Sequence, residues 1–461
     1  MTDYAALDAH LDAQRERHVD ELIEFCRFAS EKTEPQALQD AATWTADRLR
    51  RLGAAVDVVT LPGRDDVPPL VVGEIGDGPL TVQLVQHYDV QPAAPLELWT
   101  TPPYEPTVRD GRLYARGATD NKGELLSRIW GVEAYLATVG PLPCKVRFLV
   151  EGEEETGSEN LGALLDARPG IRTADAALIE GGGVDPEDRP AIDCGVRGIL
   201  LVELVARTLT SDIHSSAAPI TENAAARLVA ALATLRDERG AITLDGFLDD
   251  VRPPSDRDRA AVRALPLDDL ELVRRAYGAR RFVLGREGAD ALEAAVFEPT
   301  LNIQALWAGH REAAKNVVPA EAHARLDLRL VPDQSPDGTE SALRAHLDRR
   351  GFDDIEIIRT ESTFRPWWTP MDHPLVATAA AAAADVMGRE AVITPSMAGA
   401  APMWEVCHAG DIPNVTLGAG RADCMAHAPD ENYRIDDALT AARILARFLD
   451  RFAATGATPR A

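Results

Sequence analysis

Residues 151–158 read Glu-Gly-Glu-Glu-Glu-Thr-Gly-Ser, directly after the apolar run 146–150. Carboxylates crowded at the end of a buried strand repel one another, so cationic groups belong among them. A second apolar run, 80–86, ends in His87-Tyr88-Asp89, and between the two lies Ala118-Thr119-Asp120-Asn121-Lys122-Gly123. Glu180 closes the apolar run 176–179 and precedes three glycines, while His427 lies in the loop 424–432 after the last apolar run. Imidazoles and carboxylates just beyond strand ends make the donor set of a metal site with hydrolytic chemistry. In open α/β sheets that edge is where ligands bind.

Each residue also has a plainer reading. His87 and Asp89, two apart on one strand face, place a carboxylate to hold the second nitrogen of a ligating imidazole, or else form a solvated surface pair. Asp120, framed by Gly117 and Gly123, could be an ordinary helix N-cap. Thr156 and Glu159 have the spacing of a capping box, which makes Glu159 structural. Adjacent Glu154 and Glu155 must point in different directions, so one can ligate a metal while the other addresses a water. Glu151 and Glu153 are expected to be solvated.

The elements that must position these groups follow from periodicity. Helical spacing covers 11–29, 37–52, 123–139 and 160–167, and strand-like runs occur at 55–60, 70–75, 80–86, 144–150 and 176–180. Helices alternating with continuous apolar strands predict an α/β fold: a mixed, mostly parallel sheet flanked by helices. The rhythm changes after Gly195, and strands at 199–206, 301–307 and 323–330 with helices at 223–236 and 338–350 read as an inserted α+β domain. The expected division is 1–195 and 369–461 for the catalytic domain and 196–368 for the insertion. The α/β pattern returns with an Ala-rich helix ending at Met387, a strand at 413–417 and a closing helix at 436–454.

A chain of 461 residues is too long for one core. Its net charge of −26 argues against a nucleic-acid backbone as partner and favours solubility. Lysine occurs only at Lys32, Lys122, Lys145 and Lys315, two of them inside motif-like strings. The scattered Cys26, Cys144, Cys194, Cys407 and Cys424 form no Cys-x-x-Cys pair, which excludes a thiolate zinc site of that spacing. With neither a signal-peptide pattern at the start nor an apolar run of about 18 residues, a cytoplasmic chain without membrane contact is expected.

These strings resemble the M20 metallopeptidases, closest to the cytosolic nonspecific dipeptidase and carnosinase branch. The matching segments are 87–92, 117–123, 151–158, 195–198, 212–215, 315–319 and 427–432. The resemblance implies a zinc-peptidase-like catalytic domain with an inserted lid and dimerisation domain. It implies two divalent metal ions, zinc first, although such donors also accept Mn or Co. Asp120 and a water would bridge them, with His87 and Glu180 completing one site and Glu155 and His427 the other. Glu154 would be the general base on the bridging water and Asp89 the orienter of His87. A cis peptide after Asp120 is part of the resemblance.

By the same resemblance, His214 of a partner subunit would reach the oxyanion and Arg329 the free C-terminal carboxylate of a small peptide. Gly399 and Ala400 would line the substrate, where relatives often carry Ser in place of Ala400. His214-Ser215-Ser216 likewise replaces the usual His-Ser-Gly. The implied activity is hydrolysis of dipeptides or short peptides by a homodimer. An N-acyl-amino-acid deacylase or desuccinylase of the same clan is the nearest alternative, and a non-catalytic binding protein on the same fold a more distant one. No Gly-x-Ser-x-Gly elbow supports a serine hydrolase.

Overall fold

The computed structural model describes residues 2–265, 267–275, 278–310, 315–397 and 399–456. They divide into one unit of Met1–Gly195, Trp368–Met397 and Pro402–Ala461 and another of Val196–Trp367 and Ala398–Ala401. In the first unit, six strands form the main sheet: β1 Ala55–Val59, β2 Leu70–Ile75, β3 Thr81–His87, β4 Lys145–Glu151, β5 Ala176–Ile179 and β6 Asn414–Thr416. Their spatial order is β1-β2-β4-β3-β5-β6. β3 runs parallel to β4 and β5, and β6 parallel to β5, whereas β2 is antiparallel to both of its neighbours. The sheet is therefore mixed and mostly parallel.

β3 and β4 are buried at every residue after the first, on both faces. A strand with no solvent face has to be apolar throughout, which is why these runs do not alternate. Leu84, Phe148, Leu178, Ile129 and Phe448 are fully buried in the surrounding core. Because β4, β3, β5 and β6 share one direction, their C-terminal ends lie along a single edge, and the acid string, His87, Glu180 and the loop carrying His427 all start there.

Some boundaries differ from the sequence-based expectation. The helix expected over 11–29 is two helices, Tyr4–Ala13 and Arg15–Cys26, parted at Gln14 with φ −94° and ψ 5°. Asp3 accepts from the amides of Ala5 and Ala6 and starts the first of them, which the stripe around Leu22 did not reveal. The strands Thr107–Arg109, Arg112–Tyr114, Pro190–Asp193 and Val392–Thr394 are too short to show a period. Among the described residues, no helix is long and apolar enough to cross a membrane.

The second unit holds a four-stranded antiparallel sheet in the order Thr300–Ala308, Glu321–Leu330, Gly198–Arg207, Glu356–Phe364. The helices Ala224–Leu232 and Pro336–Arg349 contribute Leu228, Leu232, Leu343 and Leu347 to a core shared with Leu200, Leu204, Leu326 and Leu328. The strand Glu356–Phe364 was not expected, because at the sheet edge it mixes polar and apolar residues. The other edge, Thr300–Ala308, exposes Ile303, Leu306 and Trp307.

Candidate active site

The ends of β3 and β4 are locked side by side: His87 pairs with Glu151, and the Tyr88 amide donates to the Glu151 carbonyl at 2.9 Å. Behind them the chain turns through Gly117–Asn121 into the helix Lys122–Thr138. Only glycine fits at position 123, since a Cβ there would lie 2.0 Å from the Ala118 carbonyl oxygen. The Asp120–Asn121 peptide is cis. Asn121 is the helix N-cap and its side chain makes no capping bond, so Asp120 is not the cap that its sequence context allowed.

Asp120 instead divides its two oxygens between two histidines. Oδ1 lies 3.1 Å from His87 Nε2, and Oδ2 lies 2.9 Å from His427 Nε2. His427 Nε2 is also 3.2 Å from Glu155 Oε2, which accepts from Gln91 Nε2 at 3.0 Å. His87 Nε2 has Glu180 Oε2 at 2.9 Å as well as Asp120. One ring nitrogen carries at most one proton, so it cannot donate to both oxygens. Glu180 Oε2 and Glu155 Oε1 are buried with no aligned donor.

The other ring nitrogen of His87, Nδ1, meets the Asp89 carbonyl at 3.1 Å and Asp89 Oδ1 at 3.2 Å, while Asp89 Oδ2 accepts from the Glu155 amide at 3.0 Å. Asp89 thereby touches both the histidine and the acid string. Glu154 is half-buried, and its carboxylate approaches neither histidine within ion-pair distance.

The electrostatics of the cluster call for cations. Burial, then the neighbouring Glu180, raises the Glu154 carboxyl well above its usual range. Burial opposes ionisation of Asp120, but the hydrogen bonds from His427 and His87 hold it below the ordinary value. Hydrogen bonds to Asp120 and Glu155 push His427 up to about 10. His87 is raised despite complete burial, by Glu180, Asp120 and Asp89. Two imidazoles drawn toward positive charge by four carboxylates are a donor set that suits divalent ions. The ligand atoms of His87, Asp120 and Glu155 lie within 4.8 Å of one another, as do those of His87, Glu154 and Glu180.

Two acids expected in solvent are elsewhere. Glu151 is buried and accepts from Ser158 Oγ at 2.9 Å, and Glu153 is half-buried and accepts from Asn160 Nδ2 at 2.9 Å. No capping box forms at Thr156, because the next helix starts at Leu161 behind Asn160 and leaves Glu159 exposed. The charge is drawn inward because the turn 152–158 folds back over the strand end.

Sequence reasoning passed over Glu431. Its fully buried carboxylate accepts from the amides of Gly117, Thr119 and Asp120 at 3.0, 3.0 and 3.1 Å, and from Arg116 Nη1 at 2.7 Å. Four residues after His427, it fastens that loop to the Asp120 turn. The only signal was an acid inside the string 427–432. Glu431→Gln leaves the Arg116 charge buried and uncompensated, a loss of about 3–5 kcal/mol on urea unfolding. Metal affinity measured by chelator competition falls with it by about 10- to 100-fold. Lys122 was marked by its rarity, and it is fully buried, with Nζ donating to the Phe28 carbonyl at 2.6 Å. Burial lowers it to about 8.

The remaining candidates belong to the second unit. His214 ends the short strand Ile213–His214, is exposed, and its Nδ1 accepts from the Ser216 amide at 3.2 Å. Arg329 lies on the face opposite Leu326, Leu328 and Leu330, with Nε donating to Asp327 Oδ1 at 3.1 Å. Gly399 accepts from the Arg197 amide at 3.0 Å, and Ala400 bridges to Arg197. The Arg197 guanidinium closes the end of the helix Gly288–Phe297, donating to the Val296 and Glu298 carbonyls at 2.7 and 3.1 Å.

Known proteins share this arrangement of sequence. Residues 84–451 match the family described as Peptidase family M20/M25/M40. A Beta-Ala-His dipeptidase of Rattus norvegicus is 31% identical over 357 residues, which span 74% of this chain and 72% of the rat protein. A Cysteinylglycine-S-conjugate dipeptidase of Corynebacterium striatum is 28% identical over 439 residues, 92% of each chain. The crystal structure of a M20 family metallo-carboxypeptidase from Sulfolobus solfataricus has a TM-score of 0.87 at 33% identity, covering 95% of this chain and 99% of that one. Since the matched span contains both histidines and every acid of the cluster, the chain belongs to peptidase family M20/M25/M40.

Proposed function

We propose that this protein is a dinuclear-metal-dependent hydrolase that cleaves the amide bond of dipeptides or short peptides bearing a free C-terminal carboxylate. The observation that carries the reading is Asp120, whose two carboxylate oxygens face two different histidines. In this reading His87 and Glu180 would hold one ion, Glu155 and His427 the other, and Asp120 would contribute to both. The relatives named as dipeptidases and as a metallo-carboxypeptidase support the substrate class.

Bound divalent ions would supply a water that ionises near neutral pH and would polarise the scissile carbonyl. Glu154 takes the proton from the attacking water and delivers it to the leaving amine. Its separation from both imidazoles and its raised proton affinity suit that role. Asp89 orients His87 from behind. Arg329 binds the α-carboxylate through the terminal nitrogens that its bond to Asp327 leaves over, and Gly399 and Ala400 lie along the substrate backbone. His214 donates to the oxyanion in a homodimer formed through the inserted domain, a pairing favoured by the apolar residues exposed on the edge strand Thr300–Ala308.

Chelated protein given back Zn, Mn or Co separately, with dipeptides and with acetyl- and succinyl-amino acids, tests the reading. Dipeptides are hydrolysed only after a metal is restored. Preferential cleavage of the acylated amino acids would transfer the chain to the deacylase reading.

A further inference from the structure

We propose that the cavity beside Glu180 receives a basic side chain of the residue on the acyl side of the scissile bond, with Asp193 as its counter-charge. This rests on the dipeptidase reading and narrows its substrate class. The cavity has a volume of about 410 Å³, lies wholly within the first unit, and reaches from Asp120 and Glu180 to Asp193. Part of its wall is Gly181, Gly182 and Gly183, which contribute backbone and no side chains. That stretch of wall is backbone alone.

The charges lining the cavity away from the metal cluster are balanced, with one exception. Glu124 is paired with Arg128 at 2.6 Å, and Asp185 with Arg189 at 2.7 Å. Arg421 is held by Asp188 at 2.8 Å and Asp437 at 2.9 Å. Asp193 has no cationic partner among the described residues. It ends the strand Pro190–Asp193 opposite Thr394, whose hydroxyl donates to Oδ1. Its Oδ2 has only a long contact of 3.4 Å from the Thr416 hydroxyl. Both partners are neutral, so this carboxylate has no counter-charge, and burial raises it above its usual range.

The placement selects a side chain over the α-amine. Thr416 is the last residue of β6, and its Cγ2 lies 3.8 Å from where a Cβ on Gly181 would be. The Thr416 hydroxyl accepts from the Asp193 amide at 2.8 Å, and Thr416 pairs with Ile179, the residue before Glu180, so β6 stands between Glu180 and Asp193. An α-amine is tied to the carbon next to the scissile carbonyl, whereas a lysine or arginine tail spans such a depth.

The test compares kcat/KM of the metal-loaded protein for lysyl-glycine, norleucyl-glycine and glutamyl-glycine, which share one leaving group. Lysyl-glycine is expected to exceed norleucyl-glycine by roughly 10- to 100-fold, the range of a hydrogen bond to a charged group. Glutamyl-glycine is expected to be the poorest of the three. Asp193→Asn should remove the lysyl preference and leave norleucyl-glycine unchanged. Equal wild-type values for lysyl- and norleucyl-glycine overturn the inference while leaving the dipeptidase reading intact, and so does a parallel loss of both in the variant. If no dipeptide is hydrolysed with any metal, the reading itself fails and this inference with it. Because the wild-type comparison stands alone, the proposal stays testable even if the variant does not fold.

Discussion

Glu154→Gln is expected to lower kcat by roughly 100- to 10,000-fold, the range of a positioned general base, while metal content stays at the wild-type level. The substitution keeps the shape of the side chain and removes its capacity to take a proton. It leaves the contacts of His87 and His427 untouched, since Glu154 lies outside ion-pair distance of both. Elemental analysis beside steady-state kinetics checks the two halves together. A variant that turns over within tenfold of wild type eliminates Glu154 as base. A variant that loses metal would make Glu154 a ligand instead, in the grouping His87, Glu154 and Glu180.

Asp120→Asn is the second large effect, and it acts on metal before chemistry. Asp120 is the carboxylate both imidazoles touch, so removing its charge and replacing one of its two acceptor oxygens with an amide nitrogen weakens both ion positions at once. Activity is expected at background and bound metal well below the wild-type content. Thermal unfolding gives an independent reading. Metal at about 100 times its dissociation constant adds roughly 2.7 kcal/mol to a protein that binds it only when folded. Wild type should show that upward shift of Tm and the variant should lose most of it. An equal shift in both proteins would remove Asp120 from the centre of the proposed site.

Glu151 and Asp120 show where reading by residue type stops. Both were visible as acids near a strand end. A strand's period of two, however, ceases to govern side-chain direction once the chain leaves the ladder. Asp120 escaped the helix-cap role because Asn121 occupies that position, and Glu151, still in the ladder opposite His87, is buried where the following turn brings Ser158 over it. Glu431 was harder to see, as its importance lies in three amides and a guanidinium drawn from a segment far away in sequence.

What the chain announced by itself was the set of continuous apolar runs ending in His87, Glu151 and Glu180, and hence a mixed α/β sheet with chemistry at one edge. Those signals are local, because burial on both faces dictates apolar residues one by one. Strand order, register and the path of the loop 424–432 were decided only in three dimensions. They bring His427 to Asp120, and they leave Asp193 on a cavity wall with no cationic partner among the described residues. Such pairings depend on which segments pack together, and hydrophobic pattern carries no record of the partner each segment will meet.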